Sequence, residues 1–466
     1  MFCPIFLIGM VGAQLFAQGR PPDVPPPSGS DTLKIKSSTP ALGKSTADAY
    51  PDVHVSGLPR QGETCEVSLA ASSAANGPVV VAWVDFRNGT RCGYAASQDG
   101  GTTWGAPLIV GPSGGGFTGD AVIGVDETGN FYAACQDYGA DQIRFSSSAD
   151  GGRTWAAWRN VQSTIDKPWI AGARNGTVYL TWLGNTTAAP GGFKRSLDRG
   201  LTWVNSYSLG MVYHGTAIGT GNTGAVHILY NQGAPLRYVR STDWGATLEA
   251  GRNIVPDMGT SCYGCTPRQH PVVGGASSPD GRVVAAVWSS TFTGGDGDDD
   301  VWAVISRDNG NTWTAPIRVN SNTNASRQFQ PWVAVDRFGR VHAVWTDMRN
   351  GNNAIFYANT LTNAFGTNVE LTDARGTVNG FYGDYKGITI QGDDVLATWA
   401  DSRNGDNDIY FTRGVGLAGP NGVALEPGTR RYQHAKPWKT SVIFDVQGRG
   451  MANGRPKAAG KYFRKP

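Results

Sequence analysis

One short pattern recurs five times along this chain and constrains its fold more than any other feature. Each copy reads Ser-x-Asp-x-Gly-x-Thr-aromatic, with Leu replacing the aromatic residue once, and successive copies start 45 to 65 residues apart. The copies are SQDGGTTW at 97–104, SADGGRTW at 148–155, SLDRGLTW at 196–203, STDWGATL at 241–248 and SRDNGNTW at 306–313. A repeat period in this range is typical of blades or arrays. The unit itself is a turn, because Asp can accept bonds from nearby backbone amides and Gly adopts a left-handed conformation.

The composition favours many short strands joined by tight turns. Gly accounts for 64 of 466 residues and the charged fraction is only 17%. Length alone would suggest two or three domains, whereas a continuous repeat indicates one closed ring whose sheets bury their faces against each other. Alternating apolar residues mark seven equivalent second strands. These are 79–85, 130–137, 177–182, 225–230, 282–288, 340–345 and 394–399.

We therefore predict an all-β, seven-bladed β-propeller of four-stranded antiparallel sheets at 48–418, with a six-bladed ring as the alternative. The last unit contains three strands and then leaves the pattern after Arg413. Residues 50–57 (YPDVHVSG) precede the first complete unit and are strand-like. We expect them to complete the last sheet as its outer strand, because such closure removes exposed sheet edges.

The repeats resemble the Asp boxes of the sialidase-like β-propellers, and this resemblance covers about residues 48–418. In that family the box is a structural element on the face opposite the active site. The resemblance implies the same structural role for the aspartates of the five copies. They are Asp99, Asp150, Asp198, Asp243 and Asp308. A propeller fold does not by itself identify a reaction.

Chain connectivity predicts where functional side chains meet. In a four-stranded blade the starts of the innermost strands lie on the face opposite the boxes, so polar residues there should converge on the central channel. Clustered charge in a concave funnel suits a small-molecule or glycan site. The candidates are Arg60, Glu63, Glu66, Asp120, Asp166, Lys167, His214, Arg268, His270, Arg327, Gln330, Tyr382, Asp384 and Tyr385.

The sialidase resemblance assigns roles to these candidates. Sialidases bind the substrate carboxylate with three arginines, and Arg60, Arg268 and Arg327 are the ones available here. Guanidinium binds carboxylate bidentately, which explains the preference for Arg over Lys. The remaining candidates for substrate contact are Asp166, Lys167, His214, His270 and Asp384.

The same resemblance implies a catalytic set. A neutral Tyr nucleophile, paired with a Glu, avoids repulsion by the anionic substrate. Tyr382 or Tyr385 would be the nucleophile, Glu63 or Glu66 its partner, and Asp120 the acid.

Two departures from the family pattern leave a second interpretation open. The first arginine of the family lies in a Phe/Tyr-Arg-Ile-Pro motif, whereas this chain has Leu58-Pro-Arg-Gln, and seven units replace six. The first hypothesis is a propeller that binds glycans or glycoconjugates and hydrolyses them, with acidic sugars as the first substrates to test. The alternative is a non-catalytic carbohydrate- or protein-binding propeller, in which the channel charges satisfy one another.

Two further motifs lie on the same face. Trp-x-Asp-x-Arg occurs at Trp83/Asp85/Arg87, Trp345/Asp347/Arg349 and Trp399/Asp401/Arg403, and we interpret it as structural pairing rather than ligand contact. The acidic loop GGDGDDD at 294–300 offers Asp296, Asp298 and Asp300 as candidate Ca²⁺ ligands, with a solvated loop as the alternative. No cofactor is otherwise required.

The ends differ from the repeat region. Residues 1–17 read as a signal peptide, 18–47 as a Pro/Ser-rich linker, and no later segment is apolar enough to be transmembrane. The tail, 419–466, holds ten Lys/Arg against two Asp/Glu, a balance of +8, so residues 1–418 carry −5 of the overall +3 and the propeller is slightly acidic. We therefore expect no nucleic-acid partner. Residues 440–465 resemble C-terminal sorting segments of surface proteins, which favours a secreted or surface-attached protein.

The cysteines fit export. The CYGC motif indicates a small loop disulfide between Cys262 and Cys265, and Cys135 takes the place of a core Trp, as a buried free thiol. The pairing of Cys65 and Cys92 stays open.

Overall fold

The computed structural model describes residues 51–57, 64–113, 116–163, 166–185, 189–260, 272–291, 299–376, 382–414 and 418, and three short strands after residue 442. The chain forms two compact units, one up to residue 424 and one from residue 425. In the second unit the three strands form an antiparallel meander of Ile443–Phe444, Gly450–Ala452 and Arg455–Pro456. The predicted signal peptide, the linker and most of the basic tail lie outside the described residues.

Seven four-stranded antiparallel sheets make up the first unit, which confirms the predicted seven-bladed propeller. The first strands of neighbouring sheets contact one another around the ring, and the last of them contacts the first. The second strands are buried along their length, as in VVVAWVD at Val79–Asp85, because each lies between two neighbouring sheets. Within the described ranges, helix is limited to a 3₁₀ turn at Arg174–Gly176, and no helix there is long and apolar enough to cross a membrane.

The strands fall into four classes by their place in a sheet. The first strands, which line the channel, are β2 Thr64–Ala71, β6 Thr118–Val125, β10 Trp169–Gly172, β14 Thr216–Thr220, β18 Gly274–Ser277, β22 Gln328–Val335 and β26 Gly387–Gln391. The second strands are β3 Val79–Asp85, β7 Phe131–Asp137, β11 Val178–Asn185, β15 Val226–Asn231, β19 Val284–Ser290, β23 Val341–Asp347 and β27 Asp394–Asp401. All seven overlap the stretches predicted from the sequence.

The third and fourth strands complete each sheet. The third strands are β4 Arg91–Ser97, β8 Gln142–Ser148, β12 Pro190–Ser196, β16 Leu236–Ser241, β20 Asp300–Ser306, β24 Ala354–Thr360 and β28 Asp408–Gly414. The outer strands are β5 Leu108–Val110, β9 Arg159–Ser163, β13 Val204–Gly210, β17 Arg252–Val255, β21 Ile317–Arg318, β25 Val369–Glu370 and, for the last sheet, β1 Val53–His54.

The ring closes as predicted, because β1 pairs antiparallel with β28 as the outer strand of the last sheet. Arg403 holds this closure. Its guanidinium contacts Asp401 at 2.6 Å in the same sheet, Asp52 at 2.8 Å beside β1, and Asp373 at 2.6 Å in the preceding sheet. Asp52 and Asp373 also accept each other's backbone N–H, at 3.1 and 3.0 Å. The Arg403 guanidinium thus links the segment beside the first strand of the chain to the last two sheets.

The Trp-x-Asp-x-Arg motif forms the same local bonds in all three copies, which agrees with structural pairing. At the second copy, Trp345 Nε1 donates to Asp347 at 2.8 Å and Arg349 Nη2 donates to the same oxygen at 2.6 Å. The other copies repeat both contacts. The carboxylate therefore caps the buried indole of a second strand.

Each Asp box is a turn that also anchors neighbouring sheets. In the first copy, Asp99 accepts the backbone N–H of Thr103 at 2.8 Å and its hydroxyl at 2.7 Å, while Ser97 donates to Asp99 at 2.8 Å. These bonds recur in the other four copies. Trp104 packs edge-on against Phe411 of the adjacent sheet, with ring centroids 5.2 Å apart.

The boxes and the strand starts lie at opposite ends of the propeller. Ser97, at the head of the first box, pairs with Val79, whereas Thr64 at the start of the first strand pairs with Asp85. The first strands also line a cavity of about 520 Å³, which extends from Trp169 and Trp332 towards the box end, where Glu127, Asn222 and Arg337 border it. We call the end where the first strands start the channel mouth.

Candidate functional site at the channel mouth

Five non-glycine residues at the channel mouth adopt left-handed backbone conformations. They are Glu66 (φ 53°), Asp120 (φ 49°), Lys167 (φ 44°), His214 (φ 60°) and Gln330 (φ 50°). At three of these positions the register between first and second strands shifts, as in a β-bulge. Such bulges redirect a side chain, and strained residues of this kind concentrate at functional sites. The same local device therefore turns a polar side chain inward in several consecutive blades.

A buried lysine joins four blades, because it belongs to one blade and its three carboxylate partners belong to three others. Lys167 Nζ lies 2.9 Å from Asp384, 3.3 Å from Asp120 and 3.9 Å from Glu66, and each of the four side chains is at most 8% exposed. Burial opposes the charge of Lys167, but the three carboxylates raise its pKa well above the usual range. A cationic ammonium is thus fixed at the centre of an acidic cluster.

Asp120 and Asp166 form a hydrogen-bonded pair with opposite protonation. Burial favours protonation of both, but Lys167 and hydrogen bonds from Asp166 and Tyr138 lower the pKa of Asp120. Burial and the Asp120 charge raise the pKa of Asp166 to about 8. The Tyr138 hydroxyl contacts both carboxyl groups, at 2.9 Å from Asp166 Oδ1. At neutral pH the pair therefore holds one proton, on Asp166, which is half-buried.

Two aromatic groups border the Asp120–Asp166 pair. The Tyr138 ring stacks on Phe117 with centroids 4.7 Å apart and an interplanar angle of 25°. Both rings are half-buried, so they present an apolar surface next to a protonated carboxyl group. Apolar faces beside a few polar groups are typical of ligand sites.

Tyr385 lies beneath the acidic cluster, and Tyr382 does not share its surroundings. The Lys167 ammonium is 5.8 Å from the Tyr385 ring centroid, and Trp169 meets that ring edge-on at 5.5 Å. Burial and the charges of Glu66 and Asp120 raise the Tyr385 pKa well above its usual value. Tyr382 instead lies in the core between the first and last sheets, where its hydroxyl is 2.6 Å from Ser402 Oγ.

A second buried lysine lies between the last two blades. Lys386 Nζ donates to Gln330 Oε1 at 3.2 Å, and burial lowers the Lys386 pKa to about 7. The Gln330 amide donates to the carbonyl oxygen of Gly383. A side chain at Gly383, whose φ is 86°, would meet the backbone nitrogen of Glu66 at 2.3 Å. Glycine is required at that position because the loop crosses Glu66 so closely.

The remaining candidates divide between the described and undescribed parts of the chain. Arg327 is half-buried immediately before β22, with its guanidinium carbon 5.6 Å from the Phe329 ring centroid. His214 is half-buried before β14, and the adjacent Gly215 approaches the Lys167 stem. Outside the described residues lie Arg60, Glu63, Arg268, His270, Cys262, Cys265, Asp296 and Asp298.

Of the Ca²⁺ candidates only Asp300 is described, and it is engaged with protein groups. Arg318 Nη2 donates to it at 2.6 Å and Asn320 Nδ2 at 2.7 Å. Within the described ranges, no group of three His, Cys, Asp or Glu side chains is arranged to hold a metal ion. Cys65, Cys92 and Cys135 are buried free thiols, which confirms the prediction for Cys135.

Sequence reasoning missed Tyr138 and Lys386. Tyr138 follows Asp137 as Phe86 follows Asp85, so it occupies the variable position of the Trp-x-Asp-x-Arg alignment in a blade that lacks the Trp and Arg. That position begins a second-to-third loop on the mouth face, which is the signal that could have identified it. Lys386 follows Tyr385 directly, but nothing in the surrounding sequence distinguishes a buried lysine from a solvated one.

Comparison with known proteins does not assign this chain to a family. No family model matches the sequence, and no curated protein sequence matches it. Among solved structures, the chain is similar to an unknown-function protein from Dyadobacter fermentans (TM-score 0.46, 15% identity, 78% of this chain and 99% of that chain). It is also similar to a Hadza microbial sialidase (TM-score 0.43, 16% identity), covering 76% of this chain and 65% of that chain. A Penicillium chrysogenum α-L-arabinanase gives TM-score 0.42 and 12% identity, with 78% and 97% covered. Similarity at this level carries no functional argument.

Proposed function

We propose that this protein binds glycans at the channel mouth and hydrolyses a glycosidic bond there. The observation that carries the proposal is the Asp120–Asp166 pair, whose half-buried member is held protonated by burial and by its ionised neighbour. Glycoside cleavage needs a carboxylic acid that stays protonated near neutral pH in order to protonate the leaving oxygen. Asp166 meets that requirement and replaces Asp120, the acid expected from the sequence, whose lowered pKa leaves it ionised beside Asp166.

The other roles follow from position. The two carboxyl groups of the pair are hydrogen-bonded to each other, whereas the carboxyl groups of two-carboxylate glycosidases lie about 5 Å or more apart. The pair therefore acts as one acid, and the nucleophile is a separate group. We assign Tyr385 to that role rather than Tyr382, and Glu66, whose charge acts on Tyr385, as its base. The Phe117–Tyr138 stack would bind the apolar face of a sugar ring.

The charge balance bears on the substrate. Three carboxylates surround the single ammonium of Lys167, so this part of the mouth has an excess of negative charge. An acidic sugar would need positive charge from Arg327, together with Arg60 and Arg268 outside the described residues. We therefore propose sialidase-type hydrolysis of an acidic sugar, with hydrolysis of a neutral glycoside as the alternative. The substrates tested below include both kinds of sugar and distinguish the two.

Non-catalytic glycan binding is the second candidate function. Lys167, Asp384, Asp120 and Glu66 are buried and bonded to one another, as expected of a network that stabilises the centre of the ring. In that case the half-buried aromatic groups would contact ligand, and the charged cluster would hold the loops in place.

Hydrolysis of fluorescent aryl glycosides tests the proposal. The panel contains acidic sugars (N-acetylneuraminic and glucuronic acids) and neutral ones (arabinofuranose, galactose and glucose). We expect turnover of at least one substrate, and Asp166→Asn should lower kcat about 100-fold or more with little change in KM. Asp150→Asn, in a box at the opposite end, is the matched control and should leave both constants unchanged.

The same experiment tests whether Arg327 binds the carboxylate of an acidic sugar. If an acidic sugar is cleaved, Arg327→Ala should raise its KM roughly ten- to a hundredfold, because a charge-assisted bidentate contact is lost. Binding of oligosaccharides without turnover of any substrate would contradict catalysis and leave the second candidate function.

A further inference from the structure

A second aromatic surface lies at the other end of the propeller, between the first two blades. A groove of about 790 Å³ is bordered by the first two box turns and by β4 and β5. The rings of Trp155 and Trp158 lie side by side with centroids 6.5 Å apart and an interplanar angle of 27°. Tyr94 of the first blade lies beneath both, at 5.9 and 5.6 Å. Both indoles are half-buried, so they are partly open to solvent.

Trp158 is an addition to the box rather than part of it. Trp155 is the aromatic residue of the second box, and three residues further on the first and fifth boxes have Pro107 and Pro316. The turn therefore forms elsewhere without an aromatic residue at this position. Arg144 donates to Gly111 O at 2.6 Å, and its guanidinium carbon lies over the Trp158 ring, 5.8 Å from the centroid, which helps to fix the position of the indole.

Polar groups and balanced charge complete the groove. Arg153 is exposed at its edge and uses Nη1 on Asp150 O at 3.1 Å, which leaves further N–H groups for a ligand. Asp99 and Asp150 belong to the adjoining turns, and their pKa values of about 2 keep both ionised. These carboxylates offset Arg153, so the groove does not favour an anionic ligand such as a nucleic acid.

We infer that this groove is a glycan-binding site for a neutral oligosaccharide, separate from the channel mouth. The C–H face of a pyranose is apolar and matches the negative face of an aromatic ring, while its hydroxyl groups require a few donors and acceptors at the edge. Two adjacent indoles with one arginine supply that combination. The inference does not rest on hydrolysis at the mouth, because the two sites share no residue.

Titration with soluble oligosaccharides tests the inference. Cellopentaose, maltopentaose and xylopentaose are added to the full chain, and binding is followed by tryptophan fluorescence and calorimetry. We expect at least one to bind, Trp158→Ala to weaken that binding about tenfold, and Trp158→Tyr to restore most of it. Asp166→Asn at the mouth should leave this binding unchanged.

Phe338→Ala provides the matched control. Phe338 is 42% exposed with the Arg337 guanidinium carbon 4.5 Å from its ring centroid, so it resembles Trp158 in setting but lies in another blade. This variant should bind as wild type, and an unchanged thermal midpoint of Trp158→Ala would show that the fold is intact. Equal binding by Trp158→Ala, or no binding of any of the three pentasaccharides, would overturn the inference.

Discussion

The conformation of single residues decides what the channel mouth contains. A non-glycine residue with positive φ is uncommon and costs free energy, yet five such residues stand at the mouth. Sequence could place Glu66, Asp120 and Lys167 at strand starts, because the blade pattern fixes those positions. It could not show that bulges turn them onto one another, because the register shift depends on the pairing partner rather than on local composition.

The Asp-box turn gives a test at the same scale. Replacing Asp150 with Ala removes bonds to the backbone and hydroxyl of Thr154, at 2.9 Å and a shorter 2.6 Å. Loss of such a cap should lower the free energy of unfolding by about 1 kcal/mol. Chemical denaturation measures this, with exposed Asp406→Ala as the control. Glycan binding at the mouth should be unaffected, and its loss at unchanged stability would contradict the assignment of the faces.

The box also predicts a pH dependence. The Thr154 bonds outweigh burial and lower the pKa of Asp150 to about 2, so the folded state favours the ionised form. Its contribution is therefore fully present above about pH 4, the pKa of an unperturbed Asp, and is lost as the pH falls towards 2. The stability difference between wild type and Asp150→Ala should shrink over that interval. A difference that persists at pH 2 would contradict the carboxylate's role.

At the scale of elements, the repetition of one pattern in every blade made the fold predictable from the sequence. Seven second strands and the closing strand were predictable because alternation and turn residues recur with every blade. The interblade contacts were less so. The sequence shows an aromatic residue at the end of four of the five boxes, but it does not show that Trp104, Trp155 and Trp203 pack on residues of the neighbouring sheets. Their partners are Phe411, Tyr94 and Phe145, respectively. Such partners lie far apart in sequence, so local patterning does not reveal them.

Closure of the ring is an element-scale prediction. Arg403→Ala leaves the buried carboxylates of Asp401 and Asp52 without their cation, which should cost about 3 kcal/mol or more. Arg337→Ala is the matched control, because its pair with Asp393 is about half exposed and should contribute under about 1 kcal/mol. Urea denaturation of both variants measures the loss in the free energy of unfolding that each substitution causes. Equal losses would show that Arg403 does not hold the closure.

For the whole molecule, the mouth links protonation to stability. The pKa of Asp166 is raised to about 8, so between about pH 4 and pH 8 the folded state binds a proton that the unfolded state does not. The free energy of unfolding of wild type, relative to Asp166→Asn, should therefore fall as the pH rises through this range. Denaturation of both proteins at several pH values measures the difference. A difference that is constant with pH would contradict the raised pKa.

The most direct test of the central claim is the titration of Asp166 itself. Carboxyl ¹³C NMR of aspartate-labelled protein, with the signal assigned by its loss in Asp166→Asn, reports protonation without relying on activity. We expect an Asp166 pKa of about 8, falling towards the usual aspartate range in Asp120→Asn, where the neighbouring charge is removed. An Asp166 that titrates near pH 4 in the wild-type protein would contradict the proposed acid.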